Sequence, residues 1–529
     1  MPQSLGFQFS PGAKEALRLV ERGIDSLPKS QQKQLNMQKT HPIVIQGGMG
    51  IAVSDWRLAR TVSRLGQLGV VSATAINSVL VRRLQDGDPG GWMRKALAAF
   101  PSAEIAQKIL DNYYLEAGRP PGQSYKRSPM FAIESPLPLL QLTVAASFAE
   151  VWLAKQGHAG LVGVNLLEKI QLPNLACLYG AMLADVDYVL MGAGIPREIP
   201  GALDLMAEHK EASLKIPVVG ASEEVVTKFD PVRVMGGLQL PALKRPLFFP
   251  IVSSAVLAQS LMKKATGRVD GFIVEGPLAG GHNAPPRGPM KLNELGEPIY
   301  GERDEVDMAD MAALGLPFYM AGSKATPEVL SEVLAAGGAG IQVGTLFAFA
   351  EESGLKPELR REVLMRIAAG ERPDNGWVYT DPHSSPTGFP FKAVRLTGTV
   401  AEESVYLQRR RICDLGYLRH AYKDSASGRI GYRCPAEPVD DWVKKSGSAE
   451  DTAGKKCLCN ALMADIGMAQ VQSWGEAELP LLTAGDDLNL VGRILRPGSL
   501  EYTSRDVLQY LTQGLELSMG GWATAMELR

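Results

Sequence analysis

Short apolar runs alternate with amphipathic stretches between about residues 42 and 350 of the chain. Each run ends in glycine or a small polar residue, which is typical of strands that are buried on both faces of a parallel sheet. Eight such runs occur, at residues 42–46, 68–72, 161–165, 188–191, 247–252, 271–275, 317–321 and 340–344. Eight strands with intervening helices favour an α/β fold, a closed (β/α)8 TIM barrel, and leave an open α/β sheet as the alternative.

Two parts of the chain depart from this repeat. Residues 78–135 are predicted to form an insertion after the second strand, because loop signals rich in glycine and proline interrupt them. Residues 371–529 follow the last strand and are predicted to form an α-rich C-terminal extension. We therefore predict a barrel domain over residues 1–370 and a cap or small second domain over residues 371–529.

The first helix of the barrel is predicted to start after a Ser54 cap and to bury Leu58, Val62 and Leu65 on one face. This helix follows the loop Gly47–Met49, so its start decides where that loop ends.

The loops after the seventh and eighth strands carry a possible phosphate site. Gly322 and Ser323 precede a helix whose cap is Thr326, and the last strand leads into Gly344 and Thr345. Glycine lets backbone N–H groups approach phosphate oxygens, and these two loops build phosphate sites in many barrels. Ordinary turn chemistry is the alternative for each glycine taken alone.

A histidine follows the sixth strand in the loop Ala279-Gly280-Gly281-His282. The two glycines allow the backbone to pass close to a flat ligand, and the loop lies at the C-terminal mouth of the barrel, where barrel chemistry occurs. Histidine titrates near neutral pH and can act as a base or a donor. The alternative is a surface-loop histidine in a proline-rich turn.

Composition narrows the class of partner. The chain has 529 residues, of which 45% are apolar and 21% charged, and its formal net charge is -2. That balance does not point to nucleic acid or to an anionic membrane surface. No uninterrupted apolar run reaches the ~20 residues of a membrane span. The N-terminal residues do not resemble a signal peptide, so we expect a cytoplasmic protein.

Four of the five cysteines fall within the predicted extension, at Cys413, Cys434, Cys457 and Cys459. Four thiolates could bind zinc or an iron–sulfur cluster, although Cys-x-Cys spacing is less usual than Cys-x2-Cys. A second interpretation is a redox pair in which the neighbouring lysines favour the Cys457 thiolate. The third is that these cysteines are small buried apolar residues.

The motifs together resemble one family, the nitronate monooxygenases (the 2-nitropropane dioxygenase-like group), and the similar FMN-dependent enoyl reductases. The ordered set spans about residues 42–350. It consists of Gln46-Gly47-Gly48-Met49 after the first strand, Gly163-Val164-Asn165-Leu166 at the third, Ala279-Gly280-Gly281-His282 after the sixth, Ala321-Gly322-Ser323 after the seventh, and Gln342-Val343-Gly344-Thr345 after the eighth.

This resemblance implies an FMN-binding barrel and a role for each matching residue. It implies that His282 is the active-site histidine, which would act on the acidic carbon or the nitro group of a nitronate. The implied flavin contacts are the loop Gly47, Gly48 and Met49 with Asn165, Glu275, Gly280 and Gly281 near the ring, and Gly322, Ser323, Gln342, Gly344 and Thr345 near the phosphate.

Three departures from the family pattern put the substrate in doubt. Gly48 replaces a common proline, Leu278-Ala279 replaces Glu-Ala, and Gly322-Ser323-Lys324 replaces Gly-Gly-Ile. FMN binding tolerates these changes because backbone donors do most of the work.

The resemblance leaves three functions open. The first is an FMN-dependent oxidoreductase that oxidises a small nitronate or similar carbon acid with dioxygen. The second is an FMN- and NAD(P)H-dependent enoyl reductase of polyketide or fatty-acid synthesis, acting on a carrier-bound acyl chain. The third is a non-catalytic flavin-binding accessory protein. A homo-oligomer is compatible with each of them.

Overall fold

The computed structural model describes residues 41–372 and 376–515. The outer ends of the two predicted domains lie outside the described residues, as do the N-terminal residues that bear on a signal peptide. Two further predictions fall within the described part and can be compared with it directly: the strand count and the position of the first helix.

Eight parallel strands form one sheet that closes on itself. The strand order is β1-β12-β11-β9-β8-β4-β3-β2, and a parallel bridge between Ile45 and Leu68 joins the two edges. The strands are β1 (Val44–Gln46), β2 (Gly69–Ser72), β3 (Val162–Leu167), β4 (Tyr188–Gly192), β8 (Leu247–Val252), β9 (Phe272–Glu275), β11 (Phe318–Ala321) and β12 (Gly340–Val343). Every predicted run overlaps one of them, and β3 and β4 extend beyond their runs. The (β/α)8 barrel is thereby confirmed.

Large side chains fill the inside of the barrel, so it is a packed core and not a pore. The buried interior cluster is made by Ile45, Leu68, Val70, Tyr188, Leu190, Phe249, Ile273, Tyr319, Ala321 and Ala339. Because successive side chains on a strand point to opposite faces, residues two positions after Leu190, Phe249 and Ile273 also point inward, nearer the C-terminal mouth. This alternation decides which polar side chains reach the site.

Helices cover the outside of the barrel and the extension. They are α1 (Trp56–Arg64), α2 (Ile76–Gln85), α3 (Trp92–Ala98), α4 (Ala103–Tyr113), α5 (Leu137–Ala154), α6 (Gln171–Leu183), α7 (Ile199–Ala207), α8 (Pro231–Val234), α9 (Ala255–Lys264), α10 (Met308–Ala313), α11 (Pro327–Ala335), α12 (Thr345–Ala348), α13 (Pro357–Ala368), α14 (Glu403–Gln408), α15 (Val439–Lys444), α16 (Leu458–Asp465) and α17 (Ser504–Leu511). Four 3-10 segments are Pro89–Gly91, Glu302–Asp304, Ala449–Thr452 and Asp486–Arg493.

The predicted Ser54 cap of helix α1 is wrong by one residue. Asp55 is the cap, and its carboxylate accepts the backbone N–H groups of Arg57 and Leu58. Ser54 instead accepts the Met49 N–H and donates to the Gly47 carbonyl, so it holds the preceding loop. Either residue type can cap a helix, and the sequence alone does not decide between neighbours.

Two segments between barrel strands are longer than simple connections. The predicted insertion at 78–135 contains most of α2, then α3 and α4, before the chain enters α5. A second elaboration, which the sequence did not reveal, lies between β4 and β8. It contains the short strands β5 (Ala212–Lys215), β6 (Val218–Val219) and β7 (Val226–Phe229).

Helix α5 is long and apolar enough to cross a membrane by composition alone. It spans Leu137–Ala154 with a mean hydropathy of 1.5, and 72% of it is buried inside the structure. The helix packs closely along α6 and also contacts α1, α2 and α3. Its apolar surface is therefore accounted for by the protein core.

The C-terminal extension packs on the mouth of the barrel. Besides four short helices it contains strands β13 (Val378–Asp381), β14 (Phe391–Val394), β15 (His420–Lys423) and β16 (Ile430–Arg433). Strand β14 pairs with β10 (Gly281–His282), which is the histidine loop, and β15 pairs with β6. The extension was expected to be α-rich, and strand pairing with the barrel loops is the part that the sequence did not indicate.

A buried ion-pair network fixes helix α1 against α2 and α5. The Arg83 guanidinium contacts Asp55 at 3.1 Å and also pairs with Glu150, whose other oxygen accepts the Trp56 N–H at 3.0 Å. Asp55 and Glu150 are almost completely buried. Glu150 therefore depends on this guanidinium for compensation, while Asp55 also pairs with the more exposed Arg57.

Replacing Arg83 with Ala is expected to lower the free energy of unfolding by about 3 kcal/mol, because it leaves the buried Glu150 carboxylate without a salt-bridge partner and removes one of the two partners of Asp55. Arg57→Ala is the matched control: Arg57 also pairs with Asp55 but its side chain is 57% exposed, so a loss below about 1 kcal/mol is expected. Urea denaturation measures both. Equal losses for the two variants would contradict this assignment.

Candidate active site

Three polar side chains point into the mouth of the barrel from different strands. Glu275 and Asn165 stand two residues after the inward-facing positions Ile273 and Gly163, so they face inward too. Gln342 does not follow this alternation, because it lies three residues after the interior Ala339. All three line the same cavity. The sequence placed these residues on three separate strands, and barrel closure brings them together.

The loop after β1 is held rigidly beside these side chains. The Gln46 side chain donates to Ser54 Oγ at 2.8 Å and accepts the Val70 N–H at 3.0 Å, while the Gly47 N–H donates to the Val343 carbonyl. A Cβ on Gly48 would lie 2.2 Å from the Asn165 Cβ. Glycine is therefore required at Gly48 for the loop to approach the barrel mouth this closely.

Two neighbouring cavities open around this loop. The histidine cavity, of about 1050 Å³, lies between the loop and His282. The cradle cavity, of about 770 Å³, extends towards the loops after β11 and β12. Both volumes include space open to solvent. The walls that the two cavities share are Gly48, Met49, Glu275, Gly280, Gln342 and Thr483.

Unpaired polar atoms face this space. Gln342 Oε1 is buried and has no hydrogen-bond partner among the described residues. Burial raises the pKa of Glu275 to about 7, because nothing near its carboxyl compensates a negative charge. Unpaired buried polar groups are costly, so these two side chains are suited to a polar ligand in the cavity.

The histidine loop forms a two-residue strand with the extension. Gly281 pairs with Lys392 and His282 pairs with Phe391, so the loop is not a free surface turn. His282 Nε2 lies 2.7 Å from Ser385 Oγ, and its ring meets the Phe391 ring edge-on at 4.9 Å. The extension thus sets the orientation of the imidazole.

Burial lowers the pKa of His282 to about 4. The imidazole is therefore neutral at pH 7, with one nitrogen bonded to Ser385. A neutral imidazole offers a donor or an acceptor to a ligand but no positive charge. The surface-loop alternative is not what the structure shows, because His282 is half-buried and lines the histidine cavity.

The four phosphate-loop residues do come together, at the wall of the cradle cavity. Helix α11 starts as predicted, with Thr326 Oγ1 accepting the Val329 N–H. The backbone N–H groups of Gly322 and Ser323 have no acceptor among the described residues. A helix terminus and free backbone donors are the features of an anion site.

The extension reaches the same two loops. The Gly485 N–H donates to Thr345 Oγ1 at 2.9 Å, and the Asp487 N–H donates to Ser323 Oγ at 3.2 Å. A Cβ on Gly280 would lie 2.6 Å from the Ala484 carbonyl carbon, so the histidine loop and the extension are in close contact. This approach covers the cradle cavity from above.

The four cysteines of the extension line one small pocket of about 280 Å³. Among the described residues, no group of three or more His, Cys, Asp or Glu side chains has a geometry that could hold a metal ion. The prediction of a zinc or iron–sulfur site at Cys413, Cys434, Cys457 and Cys459 is therefore not supported.

The redox interpretation of Cys457 is wrong. Burial raises the pKa of its thiol to about 12, opposite to what a reactive thiolate needs. The neighbouring lysines point elsewhere: Lys455 Nζ bonds the Ser385 carbonyl and Lys456 Nζ pairs with Asp381. A small apolar role fits Cys457 and Cys459, because burial raises the pKa of both thiols, and Cys459 also lines the histidine cavity.

The sequence did not reveal the contribution of the extension to the site. Ser385, Phe391, Thr483 and Asp487 all line or touch the two cavities. They lie more than 100 residues from their partners in the barrel, as Ser385 does from His282. No local motif marks them, so only the fold identifies them.

The sequence model of the nitronate monooxygenase family matches residues 238–368. This segment runs through β8, β9, β11 and β12 and contains His282 and both phosphate loops. The predicted family resemblance is thereby confirmed, and with it the predicted class of protein, an oxidoreductase. No curated protein sequence matches the chain.

Solved structures also align with the chain. FabK from Thermotoga maritima aligns at 15% identity and TM-score 0.42, covering 92% of this chain and 97% of that one. Nitroalkane oxidase from Streptomyces ansochromogenes aligns at 14% identity and TM-score 0.37, covering 90% of this chain and 97% of that one. The enoyl reductase domain of MlnA from Bacillus amyloliquefaciens aligns at 11% identity and TM-score 0.42, covering 88% of this chain and 91% of that one. Likeness this distant carries no argument about the site.

Glu275 gives a pH-dependent prediction for the protein without a bound ligand. In the folded protein the pKa of Glu275 is about 7, above its ordinary value of 4.5. The contribution of Glu275 to the free energy of unfolding is therefore full below about pH 4.5 and is lost as the pH rises towards 7. Glu275→Gln should therefore raise the free energy of unfolding by about 2 kcal/mol at pH 8 and leave it unchanged at pH 4.5.

Urea denaturation at the two pH values measures this difference. The exposed Glu294→Gln is the control and should change stability by less than about 0.5 kcal/mol at either pH. A gain for Glu275→Gln that is as large at pH 4.5 as at pH 8 would show that charge is not its cause.

Proposed function

We propose that the protein is an FMN-dependent oxidoreductase that reduces the activated double bond of an apolar enoyl substrate. The observation that carries the proposal is the histidine cavity, which joins an unpaired polar floor to a largely apolar upper wall. The floor would receive a flavin ring and the upper wall an alkyl chain.

The residues at the floor fit a flavin. Gln342 Oε1 has no hydrogen-bond donor among the described residues, and a flavin N–H would supply one. Gly48 has no side chain, so the Gly47–Met49 loop can lie close to Asn165. Asn165, Glu275 and Gln342 would hold the ring, and the N–H groups of Gly322 and Ser323 would hold the phosphate. Bound there, the flavin would supply hydride transfer.

The upper wall favours a substrate with a hydrocarbon chain. It is formed by Leu167, Ile170, Ile251, Phe391, Leu418, Leu458 and Leu462, and no lysine or arginine side chain lines this cavity. An anionic nitronate gains nothing from such a wall, whereas an acyl chain buries its apolar surface there. A carrier-bound or coenzyme-bound thioester is the form in which such a chain would be presented.

His282 would orient the substrate carbonyl. Its imidazole is neutral, held by Ser385 at 2.7 Å, and stands at the boundary between floor and upper wall. A ring N–H at this boundary can donate to a carbonyl oxygen, which polarises the adjacent double bond. The electrons for the reduction would come from NAD(P)H.

The presence of flavin and the choice of substrate can be tested together. The purified protein should show flavin absorbance or take up added FMN, and NAD(P)H should reduce that flavin rapidly in stopped-flow measurements. Oxidation of NAD(P)H should then require an enoyl thioester. A protein that binds no FMN would overturn the proposal.

Leu462→Trp should raise KM for a long-chain enoyl thioester about tenfold and leave a four-carbon substrate almost unchanged, because the indole narrows the upper wall. Leu407→Trp is the control, since Leu407 is 71% exposed and also lies in the extension. Steady-state kinetics with both substrates measures the effect. Equal changes for the two chain lengths would contradict a chain-binding wall.

Nitronate oxidation is the second candidate, because the family match carries that name. It predicts rapid flavin reduction by a nitronate, slow reduction by NAD(P)H, and consumption of dioxygen. His282→Ala separates both enzymes from a non-catalytic flavin-binding protein. We expect turnover to fall at least about a hundredfold while flavin absorbance is retained; unchanged turnover would remove His282 from the active site.

A further inference from the structure

The cradle cavity contains a carboxylate at the place where a phosphate would be bound. Asp487 lies at the start of the Asp486–Arg493 segment, is 6% exposed, and lines the cavity with Ser323 and Thr345. Its side chain accepts a hydrogen bond from Thr345, and its Oδ1 has no partner.

The two hydroxyl groups of the cradle are already used by the extension. A hydroxyl has one proton to donate. Ser323 Oγ donates to the Leu278 carbonyl at 2.8 Å and accepts the Asp487 N–H. Thr345 Oγ1 accepts the Gly485 N–H and donates to the Asp487 carboxyl. Neither hydroxyl is free to donate to a phosphate, which leaves the backbone N–H groups of the cradle.

The ligand side of the cradle carries carboxyl groups. Asp465, Asp487 and Glu275 line the cavity, and among the described residues no lysine or arginine side chain lines it. Lys392 is already paired, because its Nζ is bound to Asp486 at 2.5 Å. Burial raises the pKa of Asp487 to about 6, in keeping with a carboxyl that lacks a cationic partner.

We propose that Asp487 sets the selectivity of this site between phosphorylated and unphosphorylated flavin. Its carboxylate takes the Thr345 proton and places a negative charge against the flavin phosphate, so FMN binds less tightly than the cradle would otherwise allow. Riboflavin has the same ring without the phosphate and does not meet this charge. This inference rests on the proposed flavin site.

The test is a fluorescence titration of the flavin-free protein with FMN and with riboflavin. Asp487→Asn keeps the size of the side chain and removes its charge. We expect it to tighten FMN binding about tenfold and to change riboflavin binding less than twofold, because two charges a few ångströms apart interact strongly in a buried site. Asp487→Ala, which also frees the Thr345 proton, should tighten FMN binding at least as much.

Glu328→Gln is the matched control. It removes one negative charge at the first turn of α11, beside the same cradle, where the side chain is exposed to solvent. Because solvent and salt screen this charge, the Kd for FMN and the Kd for riboflavin should each change less than twofold. Unchanged or weaker FMN binding in both Asp487 variants, with riboflavin binding retained, would overturn the inference. Loss of both flavins in the unaltered protein would instead overturn the proposed function.

Discussion

The active site depends on one contact, between the C-terminal extension and the open end of the barrel. The barrel strands deliver side chains to a shared rim but leave that rim open. Pairing of β14 with the histidine loop, and hydrogen bonds from Gly485 and Asp487 to the last two barrel loops, convert the rim into enclosed cavities. The enclosure removes water from the titratable groups and so determines their behaviour.

That enclosure explains why the titratable groups shift as they do. Burial raises the pKa of Glu275 and Asp487 and lowers that of His282, so each group moves towards its neutral form. The histidine cavity, with its neutral imidazole and largely apolar upper wall, therefore offers hydrogen bonds rather than charge. Asp487 in the cradle cavity is the exception, because a pKa of about 6 leaves it ionised at neutral pH.

Much of the barrel could be predicted from the sequence because its signals are local. Strands buried on both faces appear as short apolar runs, and the Thr326-Pro327 pair marks a helix start. The cap of α1 was missed by one residue because Ser54 and Asp55 are both good caps, and only the buried Arg83 network shows which one is used. The inward position of Asn165 and Glu275 follows from strand alternation, whereas that of Gln342 does not.

The contacts between the extension and the barrel could not be predicted, because the residues that meet are far apart in the chain. Ser385 meets His282 across 103 residues and Gly485 meets Thr345 across 140. The same separation has a consequence for biosynthesis. All eight barrel strands leave the ribosome before the segment that covers their mouth, so the new barrel passes through a stage in which the face proposed to bind flavin is open to solvent. Access to that face is therefore greatest before the chain is complete.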